Sequence, residues 1–413
     1  MRVRFTQRRF IAFLTLLLAT AAVLAANWPQ WRGPGRDGVA SLDHSGAWPG
    51  QLSLQWKVDV GEGHSSPVVA GDRVFLLARQ GENEIASGLE LETGKTVWRQ
   101  SYPAPYEMAS VARAHGKGPK STPVVDQGRL YTFGISGVLS AFDAASGKLL
   151  WRKDFARQYK ATWPAFGTAM SPIVAAGRVI AHVGGSAGGA LTAFDAQSGE
   201  PAWSWDEDGP AYASPIVTTL AGVRQVITQT QKHVVGVSLD DGKLLWKVPF
   251  TTPYDQNSVT PVVYKDTLIL SGHQNRTFAV RIALSGGKWS SEEVWTSDAV
   301  PMYMSSPVLS GDHLYGFTEK RRGSVFCQDA RNGNVLWTDE GHQGDNAALV
   351  LAGDHLLVQT TEGELLVIPA SPNGYNVAAA YEVAETPTWA HPAVAGNRIL
   401  VKDRTSVAAW AIE

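Results

Sequence analysis

The chain has 413 residues, 44% of them hydrophobic and 18% charged, which excludes an intrinsically disordered chain. A net charge of −2 without a basic block argues against a nucleic-acid partner. The single cysteine, Cys327, excludes an intrachain disulfide, a paired-cysteine zinc site and a c-type haem attachment motif.

Residues 1–9 are basic and residues 10–24 are apolar, the pattern of an export signal rather than of a span, which needs about 20 apolar residues. Small residues at Val23-Leu24-Ala25 place cleavage after Ala25, and no cysteine stands there to take a lipid. The expectation is a cleavable signal peptide over 1–25 and a periplasmic or secreted protein with no membrane span in its mature chain. A segment rich in Trp, Gly and Pro follows over 26–50. Its Trp28, Trp31 and Trp48 would make a sticky patch if exposed, so it is expected to pack across the rest of the protein.

From there a motif of Ser or Thr, Pro and two aliphatics recurs. It reads Ser66-Pro67-Val68-Val69, Thr122-Pro123-Val124-Val125, Ser171-Pro172-Ile173-Val174, Ser214-Pro215-Ile216-Val217, Thr260-Pro261-Val262-Val263 and Ser306-Pro307-Val308-Leu309. Two degraded copies follow at Ala347-Ala348-Leu349-Val350 and His391-Pro392-Ala393-Val394. The period is about 46 residues, in the range of propellers and solenoids. Within one unit, 123–154, four short alternating runs are joined by Gly/Asp/Ser turns, which predicts four strands. Proline is tolerated at the first residue of a strand because no ladder bond is lost there.

Each unit closes with Gly-x-x-x-Trp, as at Gly94 and Trp98, Gly147 and Trp151, Gly199 and Trp203, Gly242 and Trp246, Gly333 and Trp337. Trp295 and Tyr381 fill the same place after longer turns, and Asp143, Asp195 and Asp329 stand four residues before their glycines. An aromatic at a fixed place in every unit predicts a slab packed between neighbouring sheets. The eighth unit stops after three strands, while an orphan strand with its own tryptophan, Trp56, precedes the first. Joining the two closes a ring and leaves no sheet edge at the ends. The predicted fold is all-β: a single eight-bladed β-propeller of four-stranded antiparallel blades over 51–413, closed by an N-terminal strand that completes the last blade.

The Asp-x-x-x-Gly-x-x-x-Trp tails resemble the pyrroloquinoline quinone (PQQ)-like propeller superfamily, which includes quinoprotein alcohol dehydrogenases and BamB, a propeller lipoprotein of outer-membrane barrel assembly. The opening Trp28-Pro29-Gln30-Trp31-Arg32-Gly33-Pro34-Gly35-Arg36-Asp37-Gly38 is similar to that of secreted PQQ-binding-like repeat proteins, as are Gly118-Pro119-Lys120-Ser121-Thr122-Pro123 and Tyr254-Asp255-Gln256-Asn257. The resemblance implies a fold more than an activity. Quinoprotein dehydrogenases hold their cofactor against adjacent cysteines, whereas Cys327 is alone. Their calcium-binding carboxylate and amide positions have no match here.

In a propeller the first strand of each blade lines the channel, so residues just before each Ser/Thr-Pro ring its mouth. Variable loops on a regular scaffold are where binding groups sit. In the first units these residues are His64, His115, Lys117, Lys120 and Trp163. Tyr212, Tyr254, Asp255 and Asn257 follow, then Tyr303, Asn346, Trp389 and His391. Aromatic rings, amides and a few charges around a funnel suit a sugar, a peptide or a flat cofactor. No residue is assigned a catalytic role, since no Ser-His-Asp order and no phosphate loop is found, and no metal set is assigned. The leading expectation is a monomeric, non-catalytic binding or scaffolding propeller of the bacterial cell envelope, with envelope proteins or a small-molecule or glycan ligand as partner and no cofactor. The alternatives are an oxidoreductase using PQQ with Ca²⁺, or a propeller that binds or cleaves carbohydrate.

Overall fold

The computed structural model describes residues 27–413 except 43, 45, 157, 159–163, 186 and 187. The expected signal peptide lies outside the described residues. Among the described residues no helix is long and apolar enough to cross a membrane.

The repeats fold into eight four-stranded antiparallel blades arranged as a ring. Blade 1 comprises Val68–Ala70, Arg73–Gln80, Asn83–Glu90 and Thr96–Pro103. Blades 2 to 6 begin with inner strands Val124–Asp126, Ile173–Ala175, Ile216–Leu220, Val262–Tyr264 and Val308–Ser310. Blade 7 begins with Ala347–Ala352. Blade 8 takes Ala393–Ala395, Arg398–Lys402 and Ser406–Ala411 from the end of the chain, and Ser53–Asp59 as its fourth strand. In that closing pair Ser53 faces Ala411 and Asp59 faces Ser406.

The apolar core lies between blades. One layer joins Tyr131 and Phe133 of blade 2 to Val179 and Phe194 of blade 3. The seam of the ring gathers Trp28, Trp56, Leu76, Val367 and Val401 from the N-terminal segment and blades 8, 1 and 7. The closing tryptophans order these layers. Each indole N–H reaches forward to a backbone carbonyl of the next blade: Trp56 to Leu91 at 2.9 Å, Trp98 to Ala144 at 2.9 Å, Trp151 to Ala196 at 3.1 Å and Trp203 to Leu239 at 3.0 Å. Trp295 does the same to Ala330 at 2.9 Å. Trp246 departs from the pattern and donates to the Gln225 side chain.

The motif glycine makes room for the ring. Gly147 has φ +72°, and a Cβ there would fall 2.4 Å from the Trp98 indole. Gly94, Gly199, Gly242 and Gly333 meet Trp56, Trp151, Trp203 and Trp295 in the same way. The aspartate four residues earlier fastens the turn: Asp143 accepts the Ser146 N–H at 2.8 Å, and the Gly147 N–H returns to the Asp143 carbonyl at 2.8 Å.

The Ser/Thr-Pro motif ties the starts of neighbouring inner strands together in two arcs, over blades 1 to 4 and blades 5 and 6. The Thr122 hydroxyl accepts the Ser66 N–H, the Ser171 hydroxyl the Thr122 N–H, and the Ser214 hydroxyl the Ser171 N–H. The Ser306 hydroxyl accepts the Thr260 N–H. Each hydroxyl satisfies a buried donor that proline's neighbour would otherwise leave bare.

The N-terminal segment threads one end of the channel. Trp28 bridges to Val69, Val39–Ala40 pairs parallel with Leu351 and Ala352, and Leu42 bridges to Gly396. Between these contacts Arg32 and Arg36 enter the axis, 1% and 3% exposed. Arg36 donates to the Ser171 and Pro172 carbonyls at 3.0 Å, and Arg32 to the Pro307 and Asp37 carbonyls. Burial pushes these guanidinium groups down to about 10 and about 9, with the Arg32 charge adding to the effect on Arg36. A cavity of about 310 Å³ remains between the segment and blades 4 to 6.

The glycine–indole contact can be tested apart from backbone strain. Gly128 has φ +75° with nothing within 4 Å of a Cβ. Gly128→Ala should cost about 1 kcal/mol of conformational strain. Gly147→Ala should cost about 3 kcal/mol, because strain and overpacking against Trp98 add. Urea midpoints of the two variants check the difference.

Candidate functional site

The face opposite the N-terminal segment carries a cavity of about 130 Å³ at the mouth of the channel. Its floor is Trp31, whose indole N–H donates to the Thr260 hydroxyl at 3.1 Å. His391 stands on that floor, with ring centroids 4.4 Å apart. The rim is a chain of rings. Trp389 lies 4.8 Å from His115, His115 lies 5.5 Å from Phe166, and Phe166 lies 5.8 Å from Tyr212. Across the mouth Tyr303 stacks on His273 at 4.1 Å, and His273 is held by Glu319 at 2.8 Å.

Local chain chemistry fixes these positions. The short 3₁₀ helix Ser110–His115 ends at Gly116, whose φ is +64°. The loop then docks on the preceding blade connection at two glycines: a Cβ on Gly118 would fall 2.4 Å from the Gly63 Cα. The His64 and Ser65 N–H groups donate to the Pro119 carbonyl at 2.8 and 3.0 Å. His64 Nε2 in turn lies 3.0 Å from the His115 carbonyl, where its N–H donates. Lys120 follows, and its ammonium makes a long bond of 3.4 Å to the Gly116 carbonyl.

Of the residues expected at the mouth, the structure brings His64, His115, Lys120, Tyr212, Tyr303, Asn346, Trp389 and His391 together around the cavity. Four do not line it. Lys117 points outward to Glu82 at 3.3 Å. Tyr254 is 85% exposed, and it and Asp255 both take positive φ in the loop that crosses from blade 4 to blade 5. Asn257 is wholly buried and donates to the Thr230, Gln231 and Phe250 carbonyls. Its own carbonyl accepts the Tyr212 and Ala213 N–H groups at 3.0 Å, so it positions Tyr212 rather than facing the cavity. Trp163 lies outside the described residues. Phe166 and Gln256 line the cavity without being among the residues expected there, and Trp31, expected to pack across the protein, lines it too. Gln256 sits within a stretch whose other members were chosen, so its place on the turn was the missing datum.

The electrostatics are lopsided. No lining residue is acidic. Burial, with the Lys120 charge beside it, pushes the His64 imidazole down to about 3. Burial over Arg32 does the same to His391. His115 is lowered for the same reasons as His64, and burial pushes the Lys120 ammonium down to about 8. At neutral pH the cavity therefore holds neutral imidazoles around one ammonium. Among the described residues no group of three or more His, Cys, Asp or Glu is placed to hold a metal ion.

An eight-bladed β-propeller with one end of its channel threaded by its own N-terminal segment and the other open onto an aromatic cavity is the class of protein that these features define. A family model described as "Outer membrane protein assembly factor BamB" matches residues 82–339, more than half of the chain, and the chain belongs to that family. The outer membrane protein assembly factor BamB of Burkholderia pseudomallei is 24% identical over 353 residues, covering 75% of this chain and 85% of that protein. Among solved structures, BamB from Moraxella catarrhalis superposes with a TM-score of 0.62 at 14% identity, covering 88% of this chain and 98% of that one. Quinohemoprotein alcohol dehydrogenase from Comamonas testosteroni superposes with a TM-score of 0.67 at 15% identity, covering 96% and 82%. At such identities the structures share the fold.

The buried imidazoles make a testable acid limit. His391 and His182 are each 4% exposed. Their folded values of about 3 and about 4 lie below the unfolded value of 6.5. The unfolded chain therefore binds protons first as pH falls. The contribution of these histidines to stability should be constant above about pH 6.5 and fall below it by up to about 1.4 kcal/mol per pH unit for each. Urea midpoints between pH 7.5 and 5 measure the slope, and His391→Asn should reduce it.

Proposed function

We propose that this chain is a non-catalytic binding propeller of the cell envelope, which receives its ligand or partner at the mouth cavity beneath Trp389. The observation that carries this reading is the contrast between the two ends of the channel. At one end the chain's own segment pairs with the inner strands and sends Arg32 and Arg36 into the axis. At the other, rings, amides and an ammonium converge on open space. Concave, largely apolar sites with a few convergent polar groups are where ligands are bound. The names of the relatives, outer membrane protein assembly factors, support an envelope address.

The lining does not fit the quinone alternative. Calcium is held by oxygen ligands that include carboxylates. The cavity wall offers none, and its charge is the Lys120 ammonium, which repels a divalent cation. Cys327 is buried inside blade 6, facing Tyr315 and Trp337 across the sheet, and takes no part in the mouth. A propeller that binds carbohydrate remains compatible with the aromatic rim.

Two measurements test the reading. Calorimetric titration with PQQ and calcium should give no heat up to about millimolar ligand, an affinity weaker than about −4 kcal/mol. Micromolar binding would overturn the non-catalytic reading. The purified chain screened on an array of envelope glycans and against envelope extracts should give binding that Trp389→Ala weakens by about tenfold or more, the range of an interface anchor. A binding profile unchanged by Trp389→Ala would remove the mouth from the reading.

A further inference from the structure

The sign of the charge that the mouth accepts follows from its surroundings, given that the mouth is the binding face as proposed above. Lys120 holds its ammonium at the cavity with a long bond to one carbonyl, although an ammonium carries three donors. His391, 4% exposed on the cavity floor, has an Nδ1 that meets no partner. Beneath the floor the axis continues with Arg32 and Arg36, whose hydrogen bonds go to backbone carbonyls and to the Gln30 side chain. Lys402, buried in blade 8 below His64, is satisfied by the carbonyls of Gly61, Asp403 and Arg404.

Among the described residues no carboxylate lines the cavity: Glu319, near Tyr303, holds His273, and Glu62 stands near Lys402 outside the lining. Glu84 faces Lys120 from blade 1 and its charge favours the ammonium, but its oxygens accept the Ile135 N–H at 2.7 Å and the Tyr102 hydroxyl at 3.0 Å and take no hydrogen bond from Lys120. Asp345, near His115, is exposed to solvent. Asp37 lies at the other end of the channel, where it lines the second cavity and accepts the Val39 N–H. A funnel with low-dielectric walls and cations along its axis concentrates a positive potential at its opening.

We propose that the mouth binds an acidic sugar, a hexuronate ring whose carboxylate is held by Lys120 between His64 and His115. The wall suits such a ring. Trp389, Phe166 and Tyr212 offer flat apolar faces to its C–H side, while Asn346, Gln256 and Ser214 offer hydrogen bonds to its hydroxyls. One ammonium matches the single charge of one carboxylate. A cavity of about 130 Å³ takes a single ring or chain end rather than the middle of a polymer. The groups that face Lys120 are His64 and His115, both held neutral, and Glu84, so its own proton governs the charge of the site. Because burial lowers that ammonium to about 8, binding is present below that pH and lost above it.

Tryptophan fluorescence titrations of the full mature chain test this, with Trp31 and Trp389 as reporters. The probes are D-glucuronate and tri-galacturonate, each against its neutral counterpart, D-glucose and maltotriose. The expected result is that at least one acid binds about tenfold or more tighter than its neutral counterpart, and that this preference fades between pH 7 and 9.5. Lys120→Met should abolish the preference, and Lys120→Arg should keep it, with both variants checked for an unchanged thermal midpoint. Equal binding of acid and neutral sugar, a preference that survives Lys120→Met in a folded variant, or no binding of either acid at about 10 mM would overturn the proposal. The broader reading fails separately: neutral-sugar or protein binding that Trp389→Ala removes keeps the mouth as the binding face while the acidic ligand is lost.

Discussion

The contact between a tryptophan on one blade and a glycine on the next is what the ring depends on. A flat indole fills the wedge between two sheets, and a side chain on the facing turn would occupy the same space. Only glycine leaves room, and its positive φ also makes the turn. The indole N–H finds a carbonyl on that same turn, so the polar edge of the slab is satisfied without water. The aspartate that fastens the turn thus holds the surface on which its neighbour's tryptophan rests. The contact recurs at five of the eight blade junctions.

The channel itself is governed by a different economy. Inner strands leave their first carbonyls facing the axis, and the N-terminal segment supplies guanidinium groups to meet them. Those cations sit behind the floor on which His391 and Trp31 rest. The charge that completes one end of the channel therefore shapes the potential at the other. The hydroxyls of the Ser/Thr-Pro motifs tie the inner strands of blades 1 to 4, and of blades 5 and 6, to one another.

Much of this was legible in the chain. The period of the Ser/Thr-Pro motif gave the blade count, and the unmatched strand around Trp56 gave the closure, because both are patterns of hydrophobic order along a line. The mouth residues His64, His115, Lys120, Trp389 and His391 were reached by counting back from each proline, since the inner strand fixes where the preceding residue stands. The same counting failed at Tyr254, Asp255 and Asn257. There the chain turns through left-handed conformations, so neighbours in sequence face solvent, cavity and core in turn. That Trp31 packs against the propeller was legible, but its place at the cavity was not. It belongs to no repeat, and its place on the axis follows from pairings made by residues on either side of it. The proline of the motif marks a strand start in the sequence, whereas the bonds that its Ser/Thr hydroxyls make across blades needed three dimensions to be seen.

The closing strand has a mechanical consequence. Seven of the eight blades take their four strands from one stretch of chain, blade 8 is stitched from both ends, and Val39–Ala40 of the N-terminal segment adds a short parallel strand to blade 7. The structure is a hoop with a single seam, held by the antiparallel pairing of Ser53–Asp59 with Ser406–Ala411. Tension applied around the circumference falls on that ladder and on the N-terminal segment, which bridges Val69 of blade 1 to Leu351 of blade 7 and Gly396 of blade 8, while the other seven blades keep their strands by chain connectivity. Assembly meets the same constraint in reverse. The strand synthesised early must wait for its partner from the far end, and contacts of such long sequence separation form slowly. Until they do, the first blade and the last each expose the apolar flank that the finished ring conceals.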